Sequence, residues 1–426
     1  MEDVGLNQGQ VFLSQNVLIT PKKGDTYKSS RLSALDLQRG LIMCLMAFSH
    51  CRDYVSSVPN KNLSWNSPLI EQNISSLDFL QKSLISLVAA GGFYMMMGIG
   101  IFLLWQSRIK DGVNPKTIRN YLVCRGFVLV TVQFTVLALF ETIAEGQFYL
   151  YVGVLFSLGI CMMMAAWVMY GVELLKTKSW FGFSKIEYWL PLSLGLIIIL
   201  FSHGVIWSNH HYNISPDVLQ IALLLGGEYH TPMFFIDINF TPFPWFPSVA
   251  LGLIIGKIVT TKKEKAWAPL CALAFIFLTI WFVIRTANIQ GLFFFGDYKT
   301  ISPNSAPLTW QSYMSISKFP PSLTYFLWSW SINLLGIVWW FKLEQIQPKL
   351  FTSFKALKIF GQNALFFFIG HWFIYYGLSI ALPYHLTTLT GIITVWLIGL
   401  IILLPLCKRW YQFKSQKNKN SLWRMF

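Results

Sequence analysis

Ionisable side chains stand at both ends of one apolar segment near the start of the sequence. Asp36 and Arg39 lie at its beginning, His50 and Asp53 lie at its end, and the residues between Arg39 and His50 are almost all apolar. A charge at the centre of a bilayer costs about 3 kcal/mol on insertion scales, so it usually has a partner or a function there. Guanidinium groups bind anions, and imidazoles accept and donate protons near neutral pH. These four residues are therefore the first candidates for chemistry.

The same four residues are predicted to share one face of a helix. At about 100° per residue, they fall within an arc of about 100°. The 14 residues from Asp36 to His50 correspond to about 21 Å of helix, in a hydrocarbon layer about 30 Å thick. The spacing therefore predicts a polar stripe that connects the two sides of a membrane.

The composition predicts the element that carries this stripe. Of the 426 residues, 54% are hydrophobic and only 12% are charged. Such a composition, with repeated long apolar runs, is typical of an all-α polytopic membrane protein embedded in a lipid bilayer. We expect about ten transmembrane helices, near residues 34–55, 80–105, 121–143, 148–174, 187–207, 246–260, 267–286, 320–341, 358–379 and 388–407. The expected organisation is a polar cytoplasmic tail (1–30), one transmembrane domain (31–408) and a basic cytoplasmic tail (409–426).

The positive charges predict the orientation of the helices. With the N-terminus inside, 27 of the 33 lysines and arginines fall in cytoplasmic segments or at inner ends of spans. This asymmetry favours a multi-pass protein of the cell (inner) membrane with both termini in the cytoplasm. It also explains the net charge of +15 without a nucleic acid partner, because the charges lie in short loops rather than in one basic domain.

The histidines and cysteines exclude other classes of site. All seven histidines fall on the predicted outer side or in the outer half of a span, so histidine chemistry should face outward. The six cysteines lie mostly within spans, which indicates no disulfide framework. His210, His211, Glu228 and His230 lack the spacing of a zinc site, so no metal is expected.

Several motifs along the chain resemble those of a known family. They are Arg31-Leu-Ser-Ala-Leu-Asp-Leu-Gln-Arg-Gly40, Met46-Ala-Phe-Ser-His50, Met97-Gly98, Pro244-Trp-Phe-Pro-Ser-Val-Ala-Leu-Gly252, Lys318-Phe-Pro-Pro-Ser-Leu323 and Phe360-Gly-Gln-Asn-Ala-Leu-Phe-Phe-Phe-Ile-Gly-His371. In this order, over roughly residues 31–385, they resemble the heparan-alpha-glucosaminide N-acetyltransferase-like family of bacterial transmembrane acyltransferases.

The resemblance implies an enzyme that moves an acetyl or other acyl group from cytosolic acyl-CoA to a sugar or glycan. The acceptor would be an amino or hydroxyl group on the outer side of the membrane. His50 would be the base or a transient acyl carrier. The supporting residues would be Asp53, Asp297, Lys318 and His371. The donor, acetyl-CoA, would be a co-substrate bound by Asp36, Arg39, Arg119 and Arg125.

Structural interpretations remain open for most of these residues. Asp36 and Arg39 could form an ion pair at the inner interface, and Arg119 and Arg125 could only orient the protein. His371 could be a buried histidine that hydrogen-bonds a neighbouring helix. Two further carboxylates, Glu141 and Glu145, are expected to form a solvated corner of the third span.

Two other functions also remain open. A transporter or flippase for a glycan precursor would also have a polar stripe, although no internal repeat is apparent in the sequence. A catalytically inactive family member is the other alternative, because the chain departs from the family pattern at five positions. These are Asn62, Leu87, Gly91, Gln362 and Ala364.

Overall fold

The computed structural model describes residues 26–56, 81–177, 185–212, 214–230, 235–289, 310–314, 316–382 and 386–417. Most of these residues are helical. The helices are α1 (Thr26–Val55), α2 (Leu87–Lys110), α3 (Pro115–Val132), α4 (Ala138–Glu145), α5 (Val154–Thr177), α6 (Ile186–His211), α7 (Val218–Gln220), α8 (Pro242–Lys262), α9 (Trp267–Ile289), α10 (Trp310–Tyr313), α11 (Leu323–Ile346), α12 (Pro348–Ser353), α13 (Lys355–Gln362), α14 (Ala364–Ala381) and α15 (Leu389–Ser415).

Seven helical stretches in the described part of the chain are long and apolar enough to cross a membrane. They are Leu84–Lys110, Pro115–Glu145, Val154–Lys176, Ile186–Asn209, Pro242–Ile289, Ala364–Ala381 and Leu389–Ser415. The fifth stretch has 48 residues and contains both α8 and α9, joined by a 3₁₀ turn that starts at Lys263 with φ of 55°. The predicted class, an all-α polytopic membrane protein, is confirmed.

Helices α1 and α11 are long but are not among these seven stretches. Both lie inside the bundle, where most of their side chains are shielded by other helices. Shielding from lipid allows them to carry polar groups, provided that these groups are hydrogen-bonded. Gln38 of α1 donates to Asn333 of α11 (3.2 Å) and accepts from the indole N–H of Trp340 (3.0 Å). These bonds fix the two central helices against each other.

Small residues allow a close contact between helices at the crossing of α2 and α8. A Cβ added at Gly98 would collide with the backbone carbonyl of Val249, and one added at Gly252 would collide with that of Met95. Close backbone approach at small residues is the usual way for helices to associate in a bilayer, where the hydrophobic effect cannot hold them together. The position of α2 therefore depends on these two glycines.

A small β-sheet and three π-helical turns interrupt the helices in the described part of the chain. Strands β1 (Tyr149–Val152), β2 (Gly227–His230) and β3 (Phe235–Ile238) form a sheet in the order β1-β3-β2, with β1 parallel and β2 antiparallel to β3. This sheet is not predicted by the sequence pattern. The first π turn, Gln81–Ser86, precedes α2, the second, Gln133–Leu137, joins α3 to α4, and the third, Ile221–Leu225, follows α7. Such turns re-aim side chains and are frequent at functional sites.

The ends of the predicted domain differ from the ends of the helices. Helix α1 begins at Thr26, inside the predicted tail 1–30. Helix α15 continues to Ser415, so the predicted boundary at residue 408 falls within it. The C-terminal basic segment is therefore partly a continuation of the bundle, and one of its lysines reaches the site described next.

Candidate functional site

A cavity of about 340 Å³ opens beside the first half of α1, and we call it the Arg39 cavity. Its walls come from α1, α2, α3, α5, α13, α14 and α15. Among the described residues, three basic ones, Arg39, Arg125 and Lys414, border it, and no acidic one does. Most of the remaining lining is apolar and includes four methionines: Met43, Met96, Met97 and Met162. The cavity thus combines positive charge with an adaptable apolar wall.

Hydrogen bonds hold the basic groups of this cavity in place. The Arg39 guanidinium lies 3.5 Å from the Asp36 carboxylate and donates to the carbonyl of Gly361 at 3.4 Å. Gln362 donates to the second oxygen of Asp36 (3.0 Å), and Lys414 donates to the carbonyl of Gln362 (2.9 Å). Each of the two basic side chains therefore contacts the segment that joins α13 to α14.

The close crossing of α1 and α13 makes this arrangement possible. A Cβ at Gly361 would collide with the carbonyl of Asp36, and a Cβ at Gly40 would collide with that of Leu357. The helical path breaks at Asn363, and α14 begins directly after it. Ala364 and Leu365, in the first turn of α14, border the Arg39 cavity. Backbone N–H groups in the first turn of a helix attract anions.

A second, smaller cavity of about 60 Å³ lies beside the other half of α1, and we call it the His50 cavity. Its polar lining consists of Ser49, His50, Ser86, Gln133, Glu141, Tyr151 and Lys318. The first two π turns contribute to it, Ser86 from the first and Gln133 and Leu137 from the second. The hydroxyls of Ser49 and Ser86 lie 3.2 Å apart and link α1 to the first of these turns.

His50 and His371 form a hydrogen-bonded pair at this cavity. Nδ1 of His50 lies 2.7 Å from Nε2 of His371, and Nδ1 of His371 lies 3.3 Å from the carbonyl of Phe367. Because a carbonyl only accepts, Nδ1 of His371 carries a proton and its Nε2 presents a lone pair. His50 must then donate from Nδ1, so in the neutral pair Nε2 of His50 is unprotonated. The pairing thus leaves His50 in the tautomer of a base.

Lys318 borders the same cavity from the segment before α11. Pro320 and Pro321 shape this segment, which contains a cis peptide bond between Phe319 and Pro320. The Lys318 ammonium lies 4.8 Å from the ring centre of Phe319. Burial lowers the pKa of Lys318 to about 8, and the carboxylate of Asp53 opposes this shift. Lys318 is therefore a cation that can lose its charge near neutral pH.

The two cavities meet inside the bundle. Three residues, Phe93, Val154 and Phe368, border both of them. Arg39 and His50 are 11 residues apart on α1, which corresponds to about 16 Å along the helix axis. One face of α1 thus carries Arg39 and Met43 into one cavity and Met46, Ser49 and His50 into the other.

The structure brings together some of the predicted site residues and separates others. Arg39 and Arg125 border the Arg39 cavity, and Asp36 lies behind it as the partner of Arg39. His50 and Lys318 border the His50 cavity, and His371 lies behind it as the partner of His50. Arg119 is elsewhere: its guanidinium stacks on Trp167, 4.2 Å from the ring centre, and does not border the Arg39 cavity. Asp53 is exposed and does not itself border the His50 cavity, but its carboxylate acts electrostatically on Lys318, which does border it. Asp297 lies outside the described residues.

Several polar residues of the site are not predicted by the sequence pattern, among them Lys414, which falls in the predicted C-terminal tail, and Gln133, Ser86 and Tyr151, which line the His50 cavity. The expectation for the two glutamates holds for Glu145, which is exposed, but is wrong for Glu141, which is only 8% exposed. A sequence signal for the position of Glu141 is its spacing of eight residues from Gln133, because residues about two helical turns apart in one apolar span lie near the same face.

Comparisons with known proteins leave the family open, because the chain matches no protein-family model and no curated protein. Within the described ranges, no three or more histidines, cysteines, aspartates or glutamates cluster as potential metal ligands. The arrangement of side chains itself can bind an anion in the Arg39 cavity and can accept a proton in the His50 cavity. The class that fold and site define is a polytopic membrane protein with two adjoining cavities of different chemistry.

Proposed function

We propose that this protein is a transmembrane acyltransferase that uses cytosolic acyl-CoA, such as acetyl-CoA, to acylate an amino or hydroxyl group of a sugar or glycan on the outer side. In this proposal the chain crosses the membrane ten times, with both termini in the cytoplasm. The Arg39 cavity then opens toward the cytoplasm, and the His50 cavity lies nearer the outer surface.

The Arg39 cavity has the chemistry that the phosphates of an acyl-CoA need. Arg39, Arg125 and Lys414 face it without a bordering carboxylate, and the first turn of α14 adds backbone N–H groups. Guanidinium groups bind phosphate through charge-assisted hydrogen bonds. The methionine-lined wall beyond the three cations suits the pantetheine arm. The extended arm would have to span the separation of about 16 Å between Arg39 and His50 along the helix axis.

The His50 cavity has the groups that acyl transfer requires. A thioester is already activated, so the protein needs a base for the nucleophile and a positive group for the developing oxyanion. Nε2 of His50 would take the proton of the attacking N–H or O–H group as the new bond to the acyl carbon forms. The carbon–sulfur bond then breaks, and the CoA thiolate leaves and takes up a proton. Lys318 would stabilise the oxyanion while it is charged.

This proposal rests mainly on one observation: the two cavities adjoin, with Phe93, Val154 and Phe368 bordering both. A cationic cavity alone would fit any anion, and a histidine pair alone would fit many proton transfers. Their contact on one face of α1 would let a thioester enter from one side and meet a nucleophile from the other. A dry boundary between them would also protect the thioester from hydrolysis.

The test is an acyl-transfer assay with purified protein in lipid nanodiscs. Radiolabelled acetyl-CoA is added with and without amino sugars, and free thiol, labelled sugar and labelled protein are measured. We expect thiol release that depends on the acceptor, and a fall of about 1,000-fold in the His50→Ala variant. His203→Ala is the histidine control, because His203 contacts the carbonyl of Ile199 and the N–H of Leu323 rather than either cavity. No thiol release by the wild-type protein with any sugar would refute the proposal.

A transporter or flippase for a glycan precursor is the second candidate. The break between α13 and α14 at Asn363, within the bundle, favours it, because transporters bind substrates at interrupted helices. A flippase would move a labelled glycan lipid between leaflets without consuming acetyl-CoA. Movement of the label with no release of thiol would therefore replace the first proposal by this one.

A further inference from the structure

Glu141 is a buried carboxylate that no neighbouring group compensates. The residue is 8% exposed, borders the His50 cavity, and forms no hydrogen bond or ion pair within the described ranges. By contrast, Asp237 nearby accepts hydrogen bonds from Tyr149 (3.1 Å) and Asn239 (2.7 Å). Burying a carboxylate without a partner is costly, and in a membrane protein such a residue usually serves a ligand or an ion.

The π turn between α3 and α4 directs Glu141 toward the cavity. Gln133, Leu137 and Glu141 are spaced by four residues and all border the His50 cavity. Gln133 uses its side chain within the protein, donating to the carbonyl of Tyr151 (2.9 Å) and accepting from the N–H of Leu155 (3.2 Å). Glu141 is thus the polar group on this wall that remains available to a ligand.

We infer that Glu141 is the residue that binds the acceptor: its carboxylate takes a hydrogen bond from the group to be acylated and holds that group beside His50. This assignment rests on the proposed acyl transfer. An ionised carboxylate only accepts hydrogen bonds, so it selects a ligand group that has a proton to donate. A protonated amine also compensates the buried negative charge, and by passing one proton to the Glu141 carboxylate it becomes the neutral nucleophile, so Glu141 favours amine over hydroxyl acceptors.

The size of the cavity limits what reaches Glu141. About 60 Å³ is room for only a few water molecules, since one needs at least about 10–15 Å³ by this measure. A reacting amine or hydroxyl with its carbon atom fits this space, whereas a whole sugar ring does not. Glu141 therefore recognises the reacting group itself, and the remainder of the acceptor is bound outside the cavity.

The kinetic test compares two isosteric changes one helical turn apart. We expect Glu141→Gln to raise the KM for an amino sugar by at least about tenfold, because a hydrogen bond to a charged group is lost. The KM for acetyl-CoA should stay within twofold of the wild-type value, since Glu141 does not border the Arg39 cavity. Glu145→Gln, at an exposed position on the same helix, should change neither constant. An acceptor KM within twofold of wild type in Glu141→Gln overturns the assignment.

A binding test without any donor separates this inference from the proposed reaction. The hydrophobic reagent dicyclohexylcarbodiimide modifies buried carboxyl groups, and mass spectrometry locates the product. We expect Glu141 to be modified, and D-glucosamine to protect it better than D-glucose at equal concentration. If the wild-type protein transfers no acetyl group and glucosamine still protects, the proposed reaction fails while the binding role stands. Equal modification with and without either sugar overturns the binding role.

Discussion

The Arg39 cavity and the His50 cavity use the same face of α1 in opposite ways. The first is large, and its charged lining groups are all basic. The second is small and combines a histidine, a carboxylate and an ammonium group. The first arrangement attracts and holds one kind of charge, whereas the second positions groups that exchange protons. In the proposed function, this difference would be a division of labour in which one cavity binds the donor and the other performs the chemistry, so mutations should separate the two functions.

Among the changes that should alter catalysis without altering donor binding, we expect the largest effect at His371. In His371→Phe, His50 loses the partner that fixes its tautomer, so kcat should fall by about 100-fold while the donor KM stays unchanged. His371→Gln retains an acceptor and should recover part of the loss. Steady-state kinetics at pH 7 are the measurement. A donor KM that rises as much as kcat falls would show that the two cavities are not functionally separate.

The complementary change removes the cations of the Arg39 cavity. Arg39→Ala and Lys414→Ala should each raise the KM for acetyl-CoA by about tenfold and leave kcat almost unchanged, because in the proposed function each removes a charge-assisted contact with the donor. Arg119→Ala is the matched control, since its guanidinium stacks on Trp167 instead. Isothermal titration with CoA gives the same comparison without turnover. An equal loss of affinity for CoA in all three variants would indicate only a general effect of positive charge.

The activity assigned to the His50 cavity should depend on pH through Lys318. Because its pKa is lowered to about 8, Lys318 is charged below pH 8 and becomes neutral as the pH rises above it. Activity that depends on this charge should fall between about pH 7 and 9. Lys318→Arg should move the falling limb upward by at least about one pH unit, since arginine stays protonated. Lys318→Met should show low activity throughout. If activity falls at the same pH in Lys318→Arg as in the wild-type protein, the fall is caused by the titration of another group.

The smallest and least selective effect is expected at Gly98. Helix α2 lines both cavities, so Gly98→Ala, which pushes α2 away from α8, should affect both functions equally. We expect a loss of stability of about 1–3 kcal/mol from overpacking. Gly204→Ala is the control, because no heavy atom lies within 4 Å of a Cβ at that position. Thermal unfolding in detergent measures the difference. A selective change in one KM would show that α2 belongs functionally to one cavity.

The amino-acid sequence by itself determined the class of the protein and the line of polar residues on α1. Apolar runs define membrane helices because the bilayer imposes a length and a composition on each span. Asp36, Arg39 and His50 could be placed on one face because helical spacing depends only on local geometry. Sequence alone also gave His371 and Lys318 as candidates, through motifs rather than through any contact.

Only the tertiary structure decided which residues meet. The partner of His50 is 321 residues away in the chain, and no local pattern specifies such a contact. Lys414 reaches the Arg39 cavity because α15 continues beyond its apolar part. Glu141 is buried because a π turn redirects it, and Arg119 is not at the cavity because it stacks on Trp167. Local propensity fixes which residues are helical, whereas the close approach of helices at glycines fixes which faces enclose a cavity.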